Sequence, residues 1–373
     1  MAEPLKNFVN AAAVEMIGSM IRTAHRSFDE ASFKKQATKS LDTLELLPRA
    51  KHIAAALRTH LPPDTKKVLT ILIDSLPDVV PVDENHAFSS FIFLPHTVVI
   101  AELGPEEFEL GMRANYEVTQ RFTAEFSIRP FLMQHQDRTL KMLAAWTKDE
   151  SHHVRRLVSE GTRPRLPWAS RLPAFQRDPA PVIRLLENLK DDPSLYVRRS
   201  VANNLNDIGK DNPDVLFATA RSWLKGASDA RQWIVHHALR SSIKRGEKEA
   251  FAIMGYGAKP AVEIASASIT PSILHIGGSV TIDVALHNST KRSQHLLVDV
   301  QVHFVKSNGT TSPKVFKIDR FELLPGERRL VRKTISVKQH TTRTHYPGEH
   351  QVDLVLNAVP TTIGVFHLKG EQT

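Results

Sequence analysis

The amino-acid sequence predicts an array of helical repeats followed by an Ig-like β-sandwich. Three patterns support this fold class. Apolar residues recur at helical spacing up to about residue 263, short alternating runs of polar and apolar residues follow, and a motif in the helical part recurs after about 40 residues. We therefore expect two domains, a helical-repeat domain at 1–263 and a sandwich domain at 264–373.

An internal repeat supports the helical part. Its two copies share a Lys-Asp pair followed by a Val-Arg-Arg triplet, and they are Lys148-Asp149 with Val154-Arg155-Arg156 and Lys190-Asp191 with Val197-Arg198-Arg199. The two valines are 43 residues apart, and a weaker third copy runs from Asp229 to Val235. Periods of about 40–47 residues are typical of HEAT and armadillo repeats, which stack into a curved array with one concave surface.

The C-terminal part has the pattern of short strands separated by turns. Three runs alternate between apolar and polar residues, and they span 280–286, 298–304 and 352–356. Turn signals accompany these runs at Gly277-Gly278, Asn308-Gly309, Pro325-Gly326 and Pro347-Gly348. This spacing predicts about seven strands and the size of an Ig-like domain.

The composition limits the possible chemistry. The 373 residues carry a net charge of +9, which favours an anionic partner such as nucleic acid, an acidic protein or a membrane surface. The absence of cysteine excludes disulfides, zinc–thiolate sites and cysteine nucleophiles. We expect no metal, because the pairs His152-His153 and His236-His237 are adjacent residues that point about 100° apart on a helix.

Neither a nucleotide cofactor nor a membrane is expected. No glycine-rich phosphate loop opens a helix, and no apolar run approaches the length of about 18 residues that a membrane span needs. The N-terminal residues Met1–Lys6 lack the charged-then-apolar pattern of a signal peptide. We expect a monomer in the cytoplasm.

Three blocks of the central segment resemble the AlkC branch of the AlkC/AlkD-like alkylpurine DNA glycosylases. They are RFTAEFSIRPF at 121–131, VRRLVSEGTRPRLPW at 154–168 and YVRRSVANNLNDI at 196–208. The second and third blocks are long and specific, whereas Val-Arg-Arg alone occurs in many HEAT arrays. The resemblance covers most of residues 105–246, and the order of the two predicted domains supports it elsewhere.

The resemblance implies a HEAT-like fold with a C-terminal Ig-like domain and an enzyme that hydrolyses the N-glycosidic bond of alkylated bases. The AlkC branch acts on 3-methyladenine and 3-methylcytosine in double-stranded DNA and does not flip the lesion into a pocket. Carried over by position, the family's acidic residues match Glu125, Glu160 and Asp207, with Arg156 and Trp168 beside them. The resemblance does not show whether Glu160 or Asp207 dominates.

The residues themselves fit this chemistry. Loss of a cationic base leaves positive charge on the sugar, so fixed carboxylates and a positioned water are the useful groups. Glu160 lies on a predicted helix that begins near Ser151 and ends at Gly161, and Arg156 is four residues earlier on the same face. Without the resemblance, each carboxylate is more simply a solvated surface charge or part of a structural salt bridge. Trp168 has two interpretations, a ring against the sugar or a buried anchor between repeats, and its position between the two acidic helices together with the resemblance favours the ring against the sugar.

The arginines recur with the repeat and suit a phosphate backbone. The basic residues expected to contact DNA are Arg155, Arg156, Arg163, Arg165 and Arg199 in the helical part and Arg332 and Lys333 in the sandwich. We expect one arginine of each Val-Arg-Arg pair to form salt bridges between repeats, with acids such as Asp149 and Asp191. The basic edge of the sandwich, which continues into the loop at 338–346, has an equally simple interpretation as a solvated face on a spacer domain.

Two other functions compete with the glycosylase. A non-catalytic HEAT scaffold for an acidic protein or RNA needs no cluster of carboxylates and tryptophan on its concave face. A non-enzymatic binder of DNA structure has the same basic cleft without the acids. The discriminating observation is whether Glu160, Trp168 and Asp207 converge in one cleft bordered by arginines.

Overall fold

A computed structural model describes residues 3–79, 89–256, 260–339 and 344–370. The chain forms two compact units, Met1–Ala238 and Leu239–Thr373. The first unit is helical. Over its described residues the helices are α1 (Ala11–Ala24), α2 (Glu30–Thr38), α3 (Leu46–His60), α4 (Thr65–Asp74), α5 (Leu94–Leu103), α6 (Phe108–Thr119), α7 (Ile128–Gln134), α8 (Gln136–Trp146), α9 (His152–Gly161), α10 (Pro173–Arg177), α11 (Ala180–Leu189), α12 (Leu195–Asp211), α13 (Pro213–Leu224) and α14 (Asp229–Ala238).

Side-chain caps set the starts of several helices. The carboxylate or amide oxygen of Asn10, Asp29 and Asp64 accepts a hydrogen bond from a backbone N–H in the first turn of α1, α2 and α4, at 2.8–3.0 Å. These bonds satisfy donors that have no partner inside a helix. The predicted helix that carries Glu160 is α9, and it ends at Gly161 as expected. A Cβ at this glycine would lie 2.5 Å from Ile128 Cγ2, so the close packing of α9 on α7 requires glycine there.

The repeat found in the sequence is a repeat in the structure. Val154 of α9 and Val197 of α12 are both fully buried, and α12 packs against both α9 and α14. Arg155 Nη1 donates to the carbonyl oxygens of Asp149 and Glu150, and Arg198 Nη1 donates to those of Asp192 and Pro193, at 2.7–2.9 Å. The first arginine of each pair therefore ties the start of its helix to the preceding turn.

The second unit holds the sandwich. Two short helices, α15 (Arg240–Lys244) and α16 (Lys248–Ile253), come first, and the strands begin at Glu263, where the sequence pattern changes. Over the described residues the strands are β1 (Glu263–Thr270), β2 (Ile273–His275), β3 (Ser279–His287), β4 (Gln294–Val305), β5 (Thr311–Leu323), β6 (Arg328–Ser336), β7 (Gly348–Leu356) and β8 (Val359–Lys369). One sheet has the order β1-β3-β6 and the other β2-β8-β7-β4-β5.

Alternating residues of the two sheets form the sandwich core. Along β3 and β4, every second residue is buried, which is the pattern that the sequence predicted. The strands number eight among the described residues, against about seven predicted. The additional strand is β2, whose three residues pair in parallel with β8 and are too few to show alternation. Residues 340–343 of the basic loop lie outside the described residues.

Candidate functional site

A cleft of about 370 Å³ opens in the helical unit. Its apolar lining includes Leu46, Phe91, Phe122 and Phe126. Four charged side chains also line it, Glu125, Arg156, Glu160 and Arg163. Tyr196 and Trp168 are further residues of the lining. Helix α9 supplies Arg156 and Glu160 from successive turns of one face, so the i, i+4 spacing seen in the sequence places both in the cleft.

Arg163 joins two buried carboxylates. Its Nη1 lies 2.6 Å from Glu160 Oε1 and its Nε lies 2.8 Å from Asp207 Oδ2. Glu160 is 6% exposed and Asp207 is 1% exposed, and this guanidinium is the buried cation that both carboxylates share. Burial works to lower the pKa of Arg163, but the two carboxylates outweigh that effect and raise the pKa above its usual value. Arg163 is therefore a permanent cation placed between Glu160 and Asp207.

Arg156 contacts a second group of residues that line the cleft. Its Nη1 lies 2.7 Å from Glu125 Oε2 and donates to Thr123 Oγ1 at 3.0 Å. The guanidinium also lies over the Tyr196 ring, 5.0 Å from the ring centroid. The cluster of Glu125, Glu160 and Asp207 with the two arginines carries three negative and two positive charges, which leaves one formal negative charge in a chain of net charge +9. Lys210 pairs with Asp207 Oδ1 at 2.7 Å, but its side chain is 38% exposed and solvent screens it.

Trp168 is exposed at the cleft on a strained backbone. Its side chain is 69% exposed and its φ is +63°, a left-handed conformation that side chains with a Cβ rarely adopt. Arg129, which is buried, holds the loop by donating to the carbonyl oxygens of Gly161, Arg163 and Ser170 at 2.8–3.1 Å. Burial, with a smaller contribution from Arg163, lowers the pKa of Arg129 to about 10. The exposed ring excludes the interpretation of Trp168 as a buried anchor.

The structure brings most of the predicted site residues together. Glu125, Glu160, Arg156, Arg163 and Trp168 all line the cleft, whereas Asp207 lies behind Arg163 and reaches the cleft through it. Of the three residues whose convergence was to distinguish an enzyme from a scaffold, Glu160 and Trp168 line the cleft, and Asp207 does not line it but pairs with Arg163, which does.

The remaining predicted basic residues lie elsewhere. Arg155 pairs with Asp192 at 2.6 Å, and Arg165 lies with its Nε 2.7 Å from Asp211 Oδ2, so Arg155 joins α9 to the turn before α12 and Arg165 joins the loop after α9 to the end of α12. Arg199 is exposed. In the second unit, Arg332 pairs with Asp283 at 2.6 Å and stays 65% exposed, and the Lys333 ammonium donates to the Lys317 carbonyl oxygen at 2.8 Å.

The structure adds Ser200 and Tyr196 to the site, which the sequence analysis did not single out. Ser200 is buried, and its hydroxyl donates to Glu160 Oε2 at 2.6 Å. The repeat offset of 43 residues pairs Ser200 with Leu157, a fully buried apolar residue of α9. A polar residue at a position where the repeat requires an apolar one is the signal that could have identified Ser200 from sequence.

The structure gives no support for metal binding. Among the described residues, no group of three or more His, Asp or Glu side chains could hold a metal ion. His152 and His153 instead pack against each other and against Tyr196. Burial lowers the pKa of His153 to about 4, so this ring is neutral at pH 7. None of the described helices has the length and apolar character needed to cross a membrane.

Comparison with known proteins extends this description. Residues 263–370 match a family model described as "Uncharacterised protein YhaZ, C-terminal Ig-like domain". The chain is 34% identical over 361 residues to YhaZ of Bacillus subtilis (strain 168), a match that covers 95% of this chain and 96% of YhaZ. The structure is similar to that of the alkylpurine DNA glycosylase AlkC of Pseudomonas fluorescens, solved with DNA containing an abasic-site analogue. That match has a TM-score of 0.86 and 36% identity, and covers 98% of this chain and 100% of AlkC.

These matches run through both units, so they concern the whole architecture of helical array and Ig-like domain. The chain therefore belongs to the AlkC-type alkylpurine DNA glycosylase family. This confirms the resemblance that the three sequence blocks indicated and the fold class that the patterns predicted.

Proposed function

We propose that this protein is a DNA glycosylase that removes cationic alkylated bases from double-stranded DNA in base excision repair. The expected substrates are 3-methyladenine and 3-methylcytosine, attacked without flipping of the base. The observation that carries the proposal is the pair of buried carboxylates, Glu160 and Asp207, joined by Arg163 beside the exposed ring of Trp168. The similarity to AlkC along the whole chain supports it.

The chemistry needs little acid catalysis, because an alkylated base already carries a positive charge. The bond between C1′ and the base nitrogen breaks with its electron pair leaving on the base, and positive charge develops on the sugar. A carboxylate about 4 Å away at an effective dielectric of about 20 stabilises that charge by about 4 kcal/mol. Stabilisation of this size that exists only in the transition state accelerates the reaction by about a thousandfold.

We assign different roles to the two carboxylates. Glu160 lines the cleft, so it orients the water that adds to C1′ and accepts the proton that this water loses. Asp207 lies behind Arg163 and holds that guanidinium in place. Glu125 and Glu160 both lie beside Arg156, and both carboxylates stabilise the positive charge on the sugar. The Trp168 ring packs against the deoxyribose.

DNA contacts in this proposal come from arginines that keep an accessible guanidinium. Arg199 fits this role because it is exposed, and Arg332 of the Ig-like domain remains accessible despite its ion pair. The sequence predicted that Arg155 and Arg165 contact phosphates. In this proposal they have structural roles instead, because Arg155 pairs with Asp192 and Arg165 pairs with Asp211. We propose that 1–263 forms the glycosylase domain and that one chain is enough for activity.

Release of methylated bases from alkylated duplex DNA, identified by mass, tests the proposal. Glu160→Gln and Asp207→Asn keep the shape and remove the charge, so each is expected to slow release by about tenfold to a thousandfold, roughly 1.4–4 kcal/mol. The matched control is Glu106→Gln, which removes an exposed carboxylate outside the cleft and is expected to act like the parent. The proposal fails if both cleft variants fold, bind DNA and release bases at the parental rate.

A further inference from the structure

The helices next to the cleft repeat its geometry with different side chains. The cleft uses an arginine and an acid from α9 and two facing residues from α12. The next pair of helices, α12 and α14, presents residues at the corresponding positions, 43 residues later on the first helix and 37 later on the second. The correspondences are Arg156 with Arg199, Glu160 with Asn203, Tyr196 with Trp233 and Ser200 with His237.

Contacts and burial both support this correspondence. Ser200 Oγ lies 2.6 Å from Glu160 Oε2, and in the next pair His237 Nε2 lies 3.3 Å from Asn203 Oδ1. The same offset of 37 residues relates Val197 of α12 to Ile234 of α14, and both are fully buried. The two helix pairs therefore share one arrangement, in which the second helix reaches across to the fourth residue after the arginine.

The corresponding positions on α12 and α14, here called the copy, differ from the cleft in charge. The carboxylate of Glu160 is replaced by the neutral amide of Asn203. Arg156 pairs with Glu125, whereas Arg199 forms no ion pair within the described part of the chain. An aromatic surface is kept, since Trp233 is 37% exposed and stacks on His237 with ring centroids 5.0 Å apart and planes 7° apart.

A guanidinium, an amide and a stacked aromatic surface fit the sugar and phosphate of a nucleotide. The guanidinium pairs with phosphate oxygens, the neutral amide does not repel the anion as a carboxylate would, and the ring packs on the deoxyribose. In the cleft, by contrast, carboxylates oppose a phosphate and favour a cationic sugar. The copy therefore has the groups that bind a nucleotide and lacks the groups that would react with it.

We infer that Arg199, Asn203, Trp233 and His237 form a non-reactive subsite for the backbone of an undamaged nucleotide in the same duplex. This inference rests on the proposed function. Packed helices lie about 8–10 Å apart, and phosphates along one strand advance by about 3.4 Å, so the subsite holds a nucleotide about two or three positions from the lesion. The subsite fixes the register in which the lesion meets the cleft.

Binding of the full-length protein to a duplex with one tetrahydrofuran abasic analogue tests the inference. Arg199→Ala is expected to weaken binding about tenfold and to reduce the slope of log affinity against log salt by about one. Trp233→Ala is expected to weaken binding about fivefold or more, with Trp233→Phe recovering most of the loss. The control is Arg184→Ala, an exposed arginine on α11, which removes the same charge from the helical unit. If the melting temperature of Arg199→Ala is below that of the parent, Arg199→Lys replaces it in the binding measurement.

Neutral methylphosphonates placed one at a time around the analogue locate the contact. The expected result is one phosphate, two or three positions from the analogue, whose neutralisation weakens the parent but weakens Arg199→Ala no further. The inference is overturned if no such phosphate exists, or if Arg184→Ala loses as much affinity as Arg199→Ala. Failure of the parent to release methylated bases would instead overturn the proposed function and leave this binding result standing.

Discussion

Helices α9 and α12 carry the same Val-Arg-Arg sequence from their third residue and differ after it. The valine and the first arginine make equivalent contacts in both, a buried core position and a tie to the preceding turn. Beyond them, α12 has buried Ser200 where α9 has buried Leu157. The repeat thus preserves the residues that stack the helices, and the candidate chemistry is located where a residue departs from the repeat.

The largest expected effect comes from removing the group that joins the two helices. Arg163→Ala removes the buried cation that Glu160 and Asp207 share and leaves them only the exposed Lys210 and the more distant Arg156, so we expect the free energy of unfolding to fall by about 3–5 kcal/mol. Thermal or urea denaturation at pH 7 measures this loss. Arg163→Lys keeps the charge without the forked geometry and is expected to lose less. An unchanged midpoint for Arg163→Ala would show that the carboxylates find other partners.

Removing the structural arginine of α9 is expected to have the next largest effect. Arg155→Ala breaks the ion pair with Asp192 and two bonds to carbonyl oxygens, and should lower the free energy of unfolding by about 2–3 kcal/mol. Because these contacts are internal, affinity for duplex DNA at a temperature where the variant is folded should match the parent. A large loss of affinity with unchanged stability would return Arg155 to the role that sequence alone suggested.

A smaller effect is expected where the repeat is broken. Ser200→Ala removes one hydrogen bond to the Glu160 carboxylate and should slow base release by about threefold to thirtyfold, roughly 0.7–2 kcal/mol. Ser200→Thr keeps the hydroxyl and should recover most of the rate. Single-turnover kinetics on methylated duplex DNA measures both. Equal rates for Ser200→Ala and the parent would show that the bond does not position Glu160.

The sequence predicted the fold class because both units have simple periodic patterns. It predicted less about individual arginines, because their partners depend on which helices become neighbours. Asp149 and Asp191 were expected as partners for the paired arginines. In the structure, Arg155 pairs with Asp192, and Asp191 pairs instead with Arg231 of α14. Asp191 and Asp192 are neighbours in sequence but pair with arginines of different helices. The spacing of residues along the chain does not show which helix each acid faces.

The site was predictable where the resemblance supplied positions and less so where contacts are long-range. Glu125 and Glu160 are both in the cleft, although 35 residues separate them, because Arg156 bridges them. The role of Arg163 was not predictable, since an arginine in a loop with two prolines has the pattern of an exposed phosphate contact. Its burial becomes evident only when α12 brings Asp207 against it.

The left-handed backbone at Trp168 has a consequence for the entropy of DNA binding. A residue with a Cβ in this conformation costs about 1–2 kcal/mol, and the loop tolerates that cost because Arg129 fixes three of its carbonyl groups. An indole already turned outward loses only the freedom of its own two torsions when a sugar packs on it. A loop that DNA had to order would lose about 1–2 kcal/mol of backbone entropy for each residue fixed. The strain lowers the stability of the free protein by a constant amount. In return the indole is already fixed in the outward position, so DNA binding costs less conformational entropy.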